Sequence, residues 1–208
     1  MASKKVIGIG KKLEAELIVK GYKTRKDLLK IIDQLPISAQ ADLKYNPLKK
    51  IPRSYIDEIA KTLSKLKQRH IIAGSYRRGN VFSSDIDVVI LRHGLGKDPV
   101  ATLASKLPIV FTYAKGPDKI SAIYKHKKYV KIDFFLTTAK EWPCAVTYAT
   151  GSKQFNIIMR KKAKDMGLLL NQRELKNRKT GIPIKVNSEK HLFKLLKITW
   201  KNPEKRNL

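Results

Sequence analysis

The run Gly74-Ser75-Tyr76-Arg77-Arg78-Gly79, followed by Ser84-Asp85-Ile86-Asp87 and the apolar β-formers Val88-Val89-Ile90-Leu91, constrains this chain more than any other stretch. The apolar run predicts a strand over 85–91, and acids are out of place in a buried strand unless something uses them. Side chains alternate faces along a strand, so Asp85 and Asp87 share one face while Ile86 turns to the other. Two carboxylates this close raise each other's pKa unless a cation holds both ionised, and Mg²⁺ prefers a few carboxylates together with substrate phosphates. A third acid, Asp133, stands in another strand-like run, Tyr129 to Leu136. An isolated Asp-X-Asp reads most simply as a solvated turn. Here the preceding Gly-Ser phosphate cradle reverses that reading, and three strand-borne carboxylates point to two-metal phosphoryl chemistry.

Charge agrees about the substrate. The chain carries 45 Lys and Arg against 17 Asp and Glu, a formal net charge of +28, which calls for a polyanionic partner and first of all nucleic acid. An anionic membrane would also attract it, but no apolar run reaches the roughly 18 to 20 residues that a spanning helix needs. The start, Met1-Ala2-Ser3-Lys4-Lys5-Val6, has no apolar signal segment, so the expectation is a soluble protein inside the cell. A lone cysteine, Cys144, excludes an internal disulfide and cannot make a zinc site alone; it reads as a small buried hydrophobe. His70, His93, His126 and His191 lack ligand spacing.

Periodicity divides the chain into three. Helices are predicted over 11–20, 25–33, 38–45 and 54–67, with Gly21, Pro36, Pro47 and Pro52 between them. From 71 the pattern turns to strands: 71–73, 85–91, 109–113, 120–124 and 129–136, with a short helix over 100–107. Helices at 142–148 and 153–166 follow, then short strands at 168–170 and 182–185 and a helix at 189–196. The charged tail 203–208 is expected to fray. Tyr22, Tyr45, Tyr55, Trp142 and Trp200 read as packing residues, the lysines of 125–131 and 160–164 as exposed faces, and Arg77 as a solvated or structural arginine. Tyr76 is left open between core residue and moving part.

Near the start, Val6-Ile7-Gly8-Ile9-Gly10 leads into a helix beginning at Lys11. Glycines there let a backbone approach a phosphate closely, and the free amides at the helix start attract it. With Gly21-Tyr22-Lys23-Thr24 beyond, the segment reads as a helix-hairpin-helix that grips DNA through its backbone without reading sequence.

These motifs, together with Lys131-Ile132-Asp133, Tyr148-Ala149-Thr150-Gly151-Ser152, Phe155-Asn156, Met159-Arg160 and a tail carrying Asn187-Ser188-Glu189-Lys190 and Trp200-Lys201-Asn202-Pro203, occur in the order found in family X DNA polymerases of the polymerase beta type. The resemblance covers nearly the whole length. The small lyase domain that precedes the hairpin in larger repair members has no counterpart, so the chain looks similar to the minimal viral members.

The resemblance implies that Asp85 and Asp87 hold two Mg²⁺ ions, with Mn²⁺ able to substitute. Asp133 would share the ion that activates the primer 3′-hydroxyl and would accept its proton. It further implies that Ser75, Arg78 and Ser84 contact the triphosphate, Tyr148 and Gly151 the sugar of the incoming nucleotide, and Asn156 the nascent pair. Gly8, Gly10, Lys11, Lys131 and Arg160 would contact DNA. Ser84 departs from a usual glycine, Ala149 from an aromatic residue, and Lys153 and Gln172 from acids. These departures put sugar discrimination and closure in doubt and hint at low fidelity.

The resulting expectation is an α+β fold: a helix-hairpin-helix fingers part over 1–69, a nucleotidyltransferase-type palm sheet over 70–140 and a small thumb over 141–208. It would add deoxynucleotides to a primer 3′ end, filling short gaps in repair. The expected partners are gapped or primed DNA and dNTPs, with a DNA ligase and an AP endonuclease in the same pathway; the expected state is a monomer, in a nucleus, virion or viral factory. Two other readings remain open at this point: a template-independent terminal nucleotidyltransferase, and a noncatalytic DNA-binding protein on a polymerase fold.

Overall fold

The computed structural model describes residues 6–208, so Met1 to Lys5, on which part of the leader reading rests, lie outside the described residues. The elements run α1 (Lys11–Val19), α2 (Arg25–Lys30), α3 (Ile37–Tyr45), β1 (Ile51–Pro52), α4 (Arg53–Leu63), β2 (His70–Ile72), α5 (Gly74–Arg77), β3 (Phe82–Ser83), β4 (Ile86–Leu91) and α6 (Pro99–Ala104). They continue through β5 (Ile109–Lys115), β6 (Lys119–Lys125), β7 (Tyr129–Thr137), α7 (Trp142–Thr150), α8 (Lys153–Asp165), β8 (Leu168–Leu170), β9 (Leu175–Asn177), β10 (Pro183–Ile184) and α9 (Glu189–Leu195). The fold is mixed α and β, as expected. No helix among the described residues is long and apolar enough to cross a membrane.

Side-chain caps set four of the nine α-helix starts among the described residues. Thr24 and Asp27 form a reciprocal capping box on α2, while Asp98, Ser152 and Ser188 cap α6, α8 and α9. Helix α2 is shorter than the predicted 25–33. It stops at Lys30, where the β-branched Ile31 and Ile32 favour a 3₁₀ turn over Ile32–Gln34 before Pro36. Helix α4 likewise ends at Leu63 rather than 67, at a tight turn leading into β2.

The central sheet has the order β2-β4-β7-β6-β5, antiparallel except for the parallel pair β4–β7. One face is closed by a buried cluster in which Ile56, Ile59 and Leu63 of α4 meet Val88, Ile90, Ile132 and Phe134. The three- and four-residue spacing of those α4 residues makes a single apolar stripe, which explains why α4 lies on the sheet. The opposite face packs Val89 against Ala145 and Val146 of α7. A second cluster joins α8, α9 and the small sheet β8–β9–β10, with Cys144 buried in it and its thiol pushed up to about 12 by burial. A third holds α1, α2 and α3 together.

The tail corrects an expectation. Rather than fraying, Pro203–Arg206 forms a 3₁₀ helix, and Arg206 is 0% exposed. Its guanidinium pairs with Glu189 at 2.9 Å and lies 4.9–5.6 Å from the rings of Trp200, Phe193 and Phe155. Charge in a sequence signals exposure only when no partner is folded around it; here an acid and three aromatic rings are. Arg206→Ala should therefore cost about 3 kcal/mol in a denaturant melt. A loss below about 0.5 kcal/mol, the level of an ordinary surface change, would show the tail to be loose.

Candidate active site

The sheet register brings the acids together. On the parallel pair β4–β7, Asp87 stands opposite Asp133, and Asp133 stands opposite Ser121 of β6, so the three form one row across the sheet. Strand β4 begins at Ile86 rather than at 85, which leaves Asp85 in the bend before it; Ser84 donates to its Oδ1 at 3.1 Å. Asp85 and Asp87 nevertheless line the same cleft.

The electrostatics of the row are unbalanced. Burial, then Asp85 and Asp133, push the Asp87 carboxyl up to about 7. Asp133 forms an ion pair through Oδ2 with Lys119 Nζ at 2.7 Å, while its Oδ1 is buried with no hydrogen-bond partner. Among the described residues no group of three His, Cys, Asp or Glu side chains is gathered to hold an ion as it stands. The donor set still fits a divalent cation: hard carboxylate oxygens, one of them orphaned, and a neighbour whose ionised form burial and two other acids disfavour. The Lys119 ammonium neutralises part of this charge. Tyr113, half-buried on β5, also feels the acids: its hydroxyl is raised first by burial and then by Asp133 and Asp85.

The glycine–serine turn expected to cradle phosphate follows β2 directly. Gly74 has φ +58°, and a Cβ there would lie 2.0 Å from Asp87 Oδ2, so only glycine lets this turn approach the acid. Ser75, in the single turn of α5, donates to Ser83 Oγ at 2.7 Å. Arg78 donates from Nη1 to the Thr150 carbonyl at 2.6 Å, and burial lowers its pKa against the opposing pull of Asp87. Tyr76 is packed down, its ring under Arg53 and its hydroxyl on Asp57 at 2.6 Å. Arg77 faces away to Thr150 Oγ1 and Glu189, so of the two expectations for it, solvated or structural, the structure has the second.

Across the cleft, Gly151 ends α7 with φ +65°, followed by a cis peptide bond to Ser152. Asn156 donates to the Tyr148 carbonyl at 2.9 Å, and the Arg160 guanidinium lies 5.3 Å from the Tyr148 ring. Ser75, Arg78, Ser84, Tyr148, Gly151, Asn156 and Arg160 thus line one cleft with Asp85 and Asp87. Gly8, Gly10, Lys11, Lys131 and the buried Asp133 are not among its lining residues. Gly8, at φ +94°, sits tight against Ser38 and Ala39, whereas Gly10 has open space before the first turn of α1, which has no side-chain cap. Sequence reasoning missed Lys119 and Tyr113, because only strand pairing carries them to the acids.

If Lys119 stands in for a cation, Lys119→Met should lower the metal-free melting temperature by about 2–4 °C, equivalent to roughly 1 kcal/mol for a half-exposed pair in a chain of this size. Mg²⁺ should then raise the melting temperature of the variant more than that of the original. An unchanged melt and an unchanged Mg²⁺ response would contradict this.

Residues 145–207 match the DNA polymerase beta thumb family. Over 153 residues the chain is 31% identical to the Repair DNA polymerase X of African swine fever virus, in both the Tick/Malawi/Lil 20-1/1983 isolate and the Badajoz 1971 Vero-adapted strain, covering 69% of this chain and 85% of those proteins. The same protein from the Pig/Kenya/KEN-50/1950 isolate is 29% identical over the same span. The chain belongs to the family X DNA polymerases and is a nucleotidyltransferase acting on DNA and dNTPs.

Proposed function

We propose that this polymerase adds single deoxynucleotides to a primer 3′ end in short DNA gaps by two-metal nucleotidyl transfer. The observation that carries the reading is the Asp87–Asp133 pair: two carboxylates in register, one raised to about 7 and one with a buried unpartnered oxygen, beside an arginine- and serine-lined cleft. In this reading residues 1–69 serve as fingers, 70–140 as palm and 141–208 as thumb, with α4 of the first part packed on the central sheet.

Asp85, Asp87 and Asp133 would hold two Mg²⁺ ions, with Mn²⁺ able to replace them. Bound there, the ions would supply Lewis acidity for the attacking hydroxyl and charge neutralisation for the leaving pyrophosphate. Asp133 is suited to accept the 3′-hydroxyl proton as the oxygen bonds to the α-phosphorus and the bond to the β-phosphate oxygen breaks. Ser75, Ser84 and Arg78 orient the triphosphate, the arginine through a fork that matches phosphate oxygens. Tyr148 and Gly151 bound the sugar, while Asn156 and Arg160, one turn apart on α8, reach the nascent pair. Gly8, Gly10 and Lys11 hold a DNA backbone phosphate at the uncapped start of α1, and Lys131 adds to the basic field.

Lys153 and Ala149 both line the cleft, at positions where the family resemblance implies an acid and an aromatic residue. Both departures favour weak base and sugar selection. Gap recognition and a repair pathway with a ligase and an AP endonuclease belong to the same proposal.

Labelled primer on a one-nucleotide gapped duplex, with Mg²⁺ and each dNTP singly, tests it. Incorporation should be confined to the gap and fall roughly 10³-fold in Asp133→Ala, as expected for losing several kcal/mol of charge stabilisation. Equal extension of a lone single strand would favour a template-independent enzyme, and tight DNA binding with no incorporation would sink the catalytic reading. DNA affinity should drop about 10³-fold or more between 50 and 200 mM salt if six or more phosphates are contacted. A flat salt response would contradict the backbone grip.

A further inference from the structure

We propose that Asn207 is a positioning residue for nucleotide binding, holding the Arg78 guanidinium in the orientation that receives the triphosphate. The inference rests on the reading of Arg78 as a phosphate donor and adds to it a residue from the opposite end of the chain.

The geometry is a two-sided clasp. Arg78 Nε donates to Asn207 Oδ1 at 2.7 Å, while Asn207 Nδ2 donates to the Arg78 carbonyl at 3.2 Å and to Asn80 Oδ1 at 3.0 Å. The amide orientation is fixed by chemistry: its oxygen faces a guanidinium that can only donate, and its nitrogen faces two acceptors. With Nη1 on the Thr150 carbonyl, both ends of the guanidinium plane are pinned. Arginine has five N–H donors, so the pinned fork keeps others for the cleft that Arg78 lines.

Three features make this more than a tail lying on a surface. An amide satisfies Nε without neutralising the arginine, whereas a carboxylate there would compete with phosphate for its charge. The clasp is anchored, because the preceding Arg206 is fully buried, bonds Glu189 and the Lys201 carbonyl, and accepts at its own carbonyl from the Ser152 amide. Finally, a long side chain ordered before the nucleotide arrives loses less entropy on binding. Arg78 closes the short helix after the cradle, while Thr150 and Asn207 both fall in the thumb-matched residues, so the phosphate arginine is set from the thumb side.

Steady-state gap filling with Asn207→Ala, Asn207→Asp, Arg78→Ala and the Arg78→Ala/Asn207→Ala double variant tests the clasp. Asn207→Ala should raise KM for dNTP about tenfold while kcat and gapped-DNA affinity stay within about twofold. Asn207→Asp, nearly isosteric and so a check against misfolding, should raise KM at least as much because it adds charge beside the arginine. In the Arg78→Ala background, loss of Asn207 should have no further effect on KM. If Arg78→Ala raises KM but neither Asn207 variant does, the clasp is overturned and the reading of Arg78 stands. If Arg78→Ala leaves KM unchanged, that reading fails and the clasp with it. Multiplicative effects in the double variant, or a loss of kcat with KM unchanged, would assign Asn207 a general structural role and overturn the proposal.

Discussion

The crowding of carboxylates at the centre of the sheet is the constraint on which the rest of the molecule depends. Parallel pairing of β4 with β7 sets Asp87 directly opposite Asp133, and the strand interiors around them are fully buried. Like charges in such a place favour protonation of one partner unless cations intervene, and Asp87 is accordingly pushed up to about 7. Gly74, which has no Cβ to strike Asp87, and Lys119, which neutralises Asp133 from the neighbouring strand, both answer to the same row of oxygens. The high net charge adds a field that draws a polyanion toward the chain.

A second set of charges holds the wall of the cleft. Glu189 sits between Arg77, beside the cradle, and the buried Arg206, and both Arg77 and Arg78 reach Thr150 at the end of α7. Two adjacent arginines thus do different work: Arg77 ties α5 to the start of α9, while Arg78 lines the cleft. Two opposing cations hold the Glu189 carboxyl below the usual carboxylate range against the upward push of its burial. Arg173 also pairs with Asp118 across the same part of the molecule, beside Gln172.

The features legible in the sequence were those written locally. The Gly-Ser cradle, the Asp-Ile-Asp pair, Asp133 in its apolar run and the helix starts with their caps each depend on residues within a turn or a strand of one another. The registers that bring Lys119 to Asp133, and Ser121 into the row, depend on hairpin geometry and strand order, which no short window contains. The two-residue strands β1 and β3 are too short for alternation to show. The tail was misread because charge normally means solvent; the aromatic box that buries Arg206 is assembled from α8, α9 and the segment after it. Asp85 was placed in the strand by alternation, yet the bend before β4 brings it to the cleft all the same.

The central claim is that the aspartate row is incomplete without divalent ions. It is tested most directly by counting Mn²⁺ bound to the protein on gapped DNA with a non-hydrolysable dNTP, from the loss of the free-ion EPR signal. The account predicts two ions per chain, falling to one or none in Asp133→Asn. No bound Mn²⁺ in the original protein, or two ions retained after the substitution, would contradict it.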